Sequence, residues 1–120
     1  MKLIGSKTEQ EIRQLLIKSN QLLFKSEGKK RLLEVIKRSF PEMKAAYILE
    51  WIPEQGEDIY TLLINDSTVT EIEMYRNDHK GEAMVQTIAM RQYLKGLSKQ
   101  DQIKLAVSLD LAEKDLKETN

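Results

Sequence analysis

The chain has 120 residues, of which 41% are hydrophobic and 32% charged, with 19 basic residues, 19 acidic residues and no cysteine. This length suits a single domain, so we predict one α+β domain over residues 1–120 that buries roughly 65% of its unfolded surface. The lack of cysteine excludes disulfides, zinc–thiolate sites and thiol nucleophiles. No segment reaches the ~20 apolar residues of a membrane span, and the first residues hold no signal-peptide core. We therefore expect a cytoplasmic protein that makes no membrane contact.

The first part of the chain has helical periodicity. Ser6 and Glu9 form a capping-box pattern, and apolar side chains follow at helical spacing over residues 7–24. A second helix is predicted over residues 29–39. Pro41 ends it, because proline disfavours the helical conformation of the preceding residue.

The apolar period changes from 3.6 to 2 at residue 45. Alternating side chains predict strands over residues 45–52, 59–64 and 68–76. The second of these has few polar residues, so we expect it to be central and buried on both faces. Short connections between the strands predict a three-stranded antiparallel meander.

Helical spacing returns after the third strand. Apolar residues from Glu82 onward predict a third helix that ends near Gly96, and Ser98 is placed to cap a fourth. The predicted fold class is α+β, a three-stranded antiparallel meander flanked by two N-terminal and two C-terminal helices. We expect the helices to pack on one face of the sheet.

Charge is distributed unevenly along this neutral chain. Residues 1–44 hold 11 basic and 5 acidic side chains, residues 45–78 hold 1 and 8, and residues 79–120 hold 7 and 6. The acidic third coincides with the predicted sheet. A surface of this kind attracts basic partners and raises their association rates in a salt-dependent way.

No pattern in the sequence indicates catalysis. His79 lies in a polar loop beside Asp78, and a metal site with Glu71 and Glu73, about 7 Å apart on one strand face, has no supporting ligand repeat. We interpret His79 as an exposed loop residue. The five glycines stand at expected breaks rather than in a phosphate-binding loop. We expect no enzyme activity, no cofactor and no metal.

Six basic residues on and before the second helix offer an alternative function in nucleic-acid binding. They are Lys25, Lys29, Lys30, Arg31, Lys37 and Arg38. Glu27 and Glu34 interrupt this cluster, no aromatic side chain offers a stacking platform, and the pI of 6.6 is low for such a domain. We therefore keep a nucleic-acid-associated regulator as the alternative, with pairing of sheet edges in a dimer as a third possibility.

Two aromatic residues have two interpretations. Trp51 shares a predicted strand face with Tyr47, and Tyr75 is able to lie on the same side of the sheet. They are either core residues or interface anchors, since Trp and Tyr are enriched among binding hot spots. We favour the core, although the relative phase of the first and third strands does not follow from alternation alone.

The chain resembles the small immunity proteins of bacterial polymorphic-toxin and contact-dependent growth inhibition systems. The likeness lies in its size, its lack of cysteine, an acidic antiparallel sheet between helices, and the segment over residues 47–60. The resemblance implies tight binding to a cognate toxin domain, often a nuclease, and its neutralisation.

We therefore predict a protein-binding inhibitor that blocks a basic toxin domain through its acidic sheet and the adjoining loops. The predicted partner-binding residues are Glu50, Trp51, Glu54, Glu57, Asp58, Glu71, Glu73, Tyr75 and Asp78.

Overall fold

The computed structural model describes residues 3–76 and 83–118. It is an α+β fold with a four-stranded antiparallel sheet, which confirms the predicted class. In chain order the elements are α1 (Lys7–Lys25), a 3₁₀ turn (Glu27–Lys29), α2 (Lys30–Ser39), β1 (Ala46–Glu54), β2 (Glu57–Ile64), β3 (Thr68–Tyr75), β4 (Met84–Ile88), α3 (Met90–Leu94) and α4 (Lys99–Glu118).

Both predicted helix caps are present. The Ser6 hydroxyl accepts a hydrogen bond from the Glu9 backbone N–H, and the Glu9 carboxylate accepts one from the Ser6 backbone N–H, which completes a capping box on α1. At the start of α4 the Asp101 backbone N–H donates to the Ser98 hydroxyl at 3.1 Å. Local side-chain chemistry therefore sets where these two helices begin.

The sheet is a meander in the order β1-β2-β3-β4, with every neighbouring pair antiparallel. The β2–β3 turn contains Asn65 with a φ of 54°, and the β1–β2 turn contains Gly56 with a φ of 81°. Asparagine and glycine tolerate these left-handed conformations better than other residues. As predicted, β2 is central, and its side chains from Tyr60 to Ile64 are buried on both faces.

The prediction of a third long helix from Glu82 is wrong. Met84–Ile88 forms the fourth strand, and only Met90–Leu94 is helical. The sequence fits both periods, since Met84 and Ile88, four residues apart, share a face in a helix and in a strand alike. A short apolar run of this kind is ambiguous by spacing alone, and its β-branched residues favour pairing with the open edge of β3.

The expectation that the helices pack on one face of the sheet is also wrong. One apolar cluster joins Leu63 and Val69 to α1 and α4, and a second joins Leu62 and Ile72 to α2 on the opposite face. α1 contributes to both clusters, so it passes along the β1 edge of the sheet. There the Asn20 side-chain amide donates to the Ala46 carbonyl at 2.7 Å. None of the described helices has the length and apolar character needed to cross a membrane.

Candidate functional site

The strand register gathers the predicted acidic residues into rows across one face of the sheet. Glu73 lies opposite Ile59 on β2 and opposite Met84 on β4, while Ile59 lies opposite Ile52 on β1. Side chains directly opposite one another in a sheet point to the same face. We call the resulting surface the acidic face; its members are Glu50, Ile52, Glu54, Glu57, Ile59, Glu71, Glu73, Tyr75, Met84 and Gln86.

Six of the eight predicted partner-binding residues that the structure describes belong to the acidic face, namely five glutamates and Tyr75. Glu54 lies directly opposite Glu57, and no lysine or arginine occupies a position on this face. Among residues 3–76 and 83–118, none of the five glutamates forms an ion pair. Like charges directly opposite in a sheet are destabilising. This arrangement therefore does not improve the stability of the free chain.

Apolar side chains lie among these carboxylates. Met84 is 61% exposed, Tyr75 47% and Ile52 41%. The expectation that Tyr75 belongs to the core is therefore wrong, and its exposed ring lies beside Glu57 across the β2–β3 pair. The acidic face therefore combines negative charge with exposed apolar surface.

Several members of the acidic face do not follow from the sequence pattern. Periodicity predicts a helix for Met84 and Gln86, and alternation alone does not link Ile52 and Ile59 to the carboxylates. The signal for β4 was the run of uncharged residues from Met84 to Ile88 in a highly charged chain. Treating that run as a fourth strand beside β3 would have brought its apolar side chains to the strand that carries Glu71 and Glu73.

Trp51 lies on the other face of the sheet. A β-bulge between Ile48 and Glu50 adds one residue to β1, so that Tyr47 pairs with Leu63 but Trp51 pairs with Tyr60. Since Leu63 and Tyr60 are three residues apart on β2, they point to opposite faces. The prediction that Trp51 and Tyr47 share a face is therefore wrong.

Trp51 belongs to a small aromatic and charged cluster on this opposite face. Its ring stacks on Tyr60 at 5.9 Å between centroids, and the Lys29 ammonium lies 3.9 Å from the Trp51 ring centroid. The indole N–H donates to Asp58 at 3.0 Å, and Arg76 forms a two-point ion pair with the same carboxylate. Trp51 remains 50% exposed. The expectation that it belongs to the core is therefore wrong. We call these five residues the lysine–tryptophan cluster.

The lysine–tryptophan cluster already neutralises Asp58. The Arg76 guanidinium, together with the hydrogen bond from Trp51, lowers the pKa of the Asp58 carboxyl. Burial raises the pKa of the neighbouring Tyr60 phenol to about 12. Because Asp58 is already paired with an arginine of the same chain, it offers a partner less negative charge than the unpaired glutamates of the acidic face.

The lowered pKa of Asp58 predicts a pH-dependent stability. We expect Asp58→Asn to reduce the free energy of unfolding by about 1 kcal/mol at pH 7, because it removes a charged hydrogen bond to Arg76 that water around the exposed guanidinium partly screens. Since the folded-state pKa lies below the unfolded value of about 3.9, this difference is present above that pH. It is lost as the pH falls through the folded-state pKa.

Urea unfolding of the wild type and Asp58→Asn across acidic and neutral pH measures this effect. Glu34→Gln, which changes an exposed carboxylate on α2, is the matched control and should leave the difference near zero at every pH. A loss for Asp58→Asn that is constant with pH would show that the carboxylate charge is not responsible.

The basic residues of α2 are only partly available to a ligand. The Lys29 ammonium also donates to the Tyr60 hydroxyl at 3.2 Å, and the Arg31 guanidinium donates to the Tyr75 carbonyl at 3.1 Å. Lys30, Lys37 and Arg38 are exposed. Two of the six basic residues considered for phosphate binding, Lys29 and Arg31, therefore form hydrogen bonds to the sheet.

Asp78 and His79 lie outside the described residues. The predicted role of Asp78 in partner binding therefore stays a prediction. Within residues 3–76 and 83–118, no three acidic or histidine side chains are grouped so that they could hold a metal ion. The acidic face therefore shows a pattern of charge and apolar surface rather than a metal-ligand geometry.

Comparison with protein-family models, curated proteins and solved structures found no match to this chain.

Proposed function

We propose that this chain is an inhibitor that binds and neutralises a basic toxin domain, as immunity proteins do. The observation that carries the proposal is the acidic face, where five glutamates form no ion pair with any described residue. The toxin class that fits best is a nuclease. Its cleft must be basic because it binds a polyanion.

Plain solubility is a weaker explanation of the acidic face. A surface that only needs to stay soluble mixes both charges, whereas Glu54 and Glu57 face each other across two strands. An opposed pair of like charges costs stability, of the order of 0.2–1 kcal/mol by comparison with other cross-strand pairs. A basic partner removes this repulsion, so the cost in the free protein becomes a gain on binding.

The apolar members of the acidic face would slow dissociation of a partner, an effect that charge alone does not provide. Charge complementarity mainly raises the association rate and the specificity, while buried aromatic and apolar side chains slow dissociation. Tyr75 and Met84 are the most exposed such groups on the face. We propose Tyr75 as the anchor residue, since tyrosine is enriched at binding hot spots and its ring adjoins Glu57.

The acidic face is smaller than a complete interface. Four strands about 4.8 Å apart and three rows about 7 Å apart span roughly 200 Å² between strand centres. A typical partner buries about 800 Å² on each side. The toxin domain must therefore also contact segments beside this face, such as the β1–β2 turn.

Growth protection tests the proposed function. We expect co-expression of this chain to protect bacteria from the C-terminal domain of a secreted protein encoded beside its gene, and to keep cellular nucleic acid intact. The double variant Glu71→Gln/Glu73→Gln should weaken protection. The matched control is Glu34→Gln/Glu113→Gln, which removes two exposed carboxylates from α2 and α4 and should protect fully.

Two results would contradict the proposal. The first is undiminished toxicity of the neighbouring domain when this chain is co-expressed in folded form. The second is salt-dependent retention of DNA or RNA on a filter that is lost in Lys30→Gln/Lys37→Gln/Arg38→Gln. That result would support the alternative of a nucleic-acid-associated regulator.

A further inference from the structure

Within residues 3–76 and 83–118, the sheet has one covered edge and one open edge. At the β1 edge, the Asn20 amide donates to the Ala46 carbonyl at 2.7 Å and the Lys104 ammonium donates to the Leu49 carbonyl at 3.1 Å. Pro53 also lies in β1 and has no backbone N–H. At the other edge, β4 pairs with β3 alone among the described strands, and four of its five residues are exposed.

β4 lacks the features that normally protect an open edge. Proteins block such edges with charged side chains, proline or a bulge. The sequence from Met84 to Ile88 contains no charge and no proline, and its register with β3 is continuous. In a chain with 32% charged residues, this strand is well suited to pairing.

The backbone of β4 offers specific groups to an added strand. The Thr70 hydroxyl donates to the Gln86 carbonyl at 3.1 Å, so the polar backbone groups of Gln86 face β3. Because these groups alternate in direction along a strand, the N–H and C=O groups of Val85 and Thr87 face outward. These are the four groups that a fifth strand would bond.

We propose that β4 takes an extended basic segment of the partner as a fifth strand of the sheet, an inference that rests on the proposed function. The added strand lies about 10 Å from β3, a gap that a lysine and a glutamate extended toward each other can close. Alternate lysine or arginine side chains on it therefore reach Glu71 and Glu73. Its intervening apolar side chains pack beside Val85 on the opposite face.

Charge favours this occupant over a second copy of the chain. Antiparallel pairing of two β4 strands has a two-fold axis perpendicular to the sheet, so both acidic faces would lie on the same side. Glu71 and Glu73 of the two copies would then lie on the same side about 14 Å apart, three strand spacings, and the uncharged β4 strands would bring no cation between them. A basic strand brings the opposite charge to the same place and extends the interface beyond the acidic face.

Amide hydrogen exchange with synthetic peptides tests the edge directly. The probe is a seven-residue peptide of alternating lysine and valine with blocked ends, used at millimolar concentration. We expect it to slow exchange of the Val85 and Thr87 amides at least tenfold and to leave the Gln86 amide, already bonded to β3, unchanged. A matched peptide of alternating glutamate and valine should have no effect. Thr87→Pro, which removes an outward N–H, should abolish the protection.

The possible results separate this inference from the proposed function. If the lysine peptide shifts the resonances of Glu71 and Glu73 without protecting Val85 and Thr87, the edge proposal is overturned while the acidic face still binds cations. Equal protection by the glutamate peptide would overturn the proposal that the added strand must be basic. Protection that appears without peptide and grows with protein concentration would identify a second copy as the occupant instead. Failure of growth protection with a normal response to the lysine peptide would overturn the proposed function alone.

Discussion

We expect the Glu71→Lys/Glu73→Lys double variant to associate with the proposed toxin domain at least about tenfold more slowly than the wild type at low ionic strength. The reason is that the attraction of oppositely charged surfaces raises encounter rates by 10-fold to 1,000-fold, and reversal converts it into repulsion. Both residues lie in adjoining rows of the acidic face, beside Gln86 and Met84. Stopped-flow mixing of the purified proteins at several salt concentrations measures the effect.

Salt provides the internal check on this expectation. The association rates of the wild type and the double variant should converge as ionic strength rises, because the Debye length falls from about 10 Å at 0.1 M to about 3 Å at 1 M. The matched control is Glu34→Lys/Glu113→Lys, which makes the same change in net charge on the exposed surfaces of α2 and α4. If this control slows association as much as the double variant, net charge rather than the acidic face is responsible.

Folding of the double variant is not at risk for electrostatic reasons. Glu71 and Glu73 form no ion pair within the described residues. Their replacement also reduces the concentration of negative charge around Glu54 and Glu57. We therefore expect its free energy of unfolding to match that of the wild type or to exceed it slightly, in contrast to most substitutions.

Much of the acidic face follows from the sequence because it depends on local alternation. Glu71 and Glu73 are two residues apart on a strand, so they must share a face. The short turn at residues 65–67 fixes β2 and β3 as neighbours, and the capping box at Ser6 fixes the start of α1. Each of these features is determined by residues close together in the chain.

The features that sequence analysis missed depend on contacts between distant residues. The bulge before Glu50 changes the face on which Trp51 lies, and its only trace is in the pairing of β1 with β2. Residues 84–88 have spacing that fits a helix as well as a strand, and the open edge of β3 decides between them. Pairing between strands therefore determines both features. The β1 bulge places Trp51 away from the carboxylates, and β4 places Met84 among the carboxylates.

Packing on both faces of the sheet has the largest expected consequence for stability. Leu62 and Leu63 are adjacent on β2, are both fully buried, and point to opposite faces. We expect Leu62→Ala and Leu63→Ala each to lower the free energy of unfolding by about 2–5 kcal/mol, the usual cost of removing a buried leucine side chain. This is a large share of the 5–15 kcal/mol that stabilises a typical domain.

Urea unfolding of the two variants distinguishes a two-faced arrangement from the one-faced arrangement that the sequence suggested. Helices on one face would make one of the two losses large and the other small. Met84→Ala is the control, since this side chain is 61% exposed, and it should change stability by less than about 0.5 kcal/mol. A loss below about 1 kcal/mol at either leucine would contradict the packing described. Two large losses would confirm that apolar clusters on both faces of the sheet stabilise it.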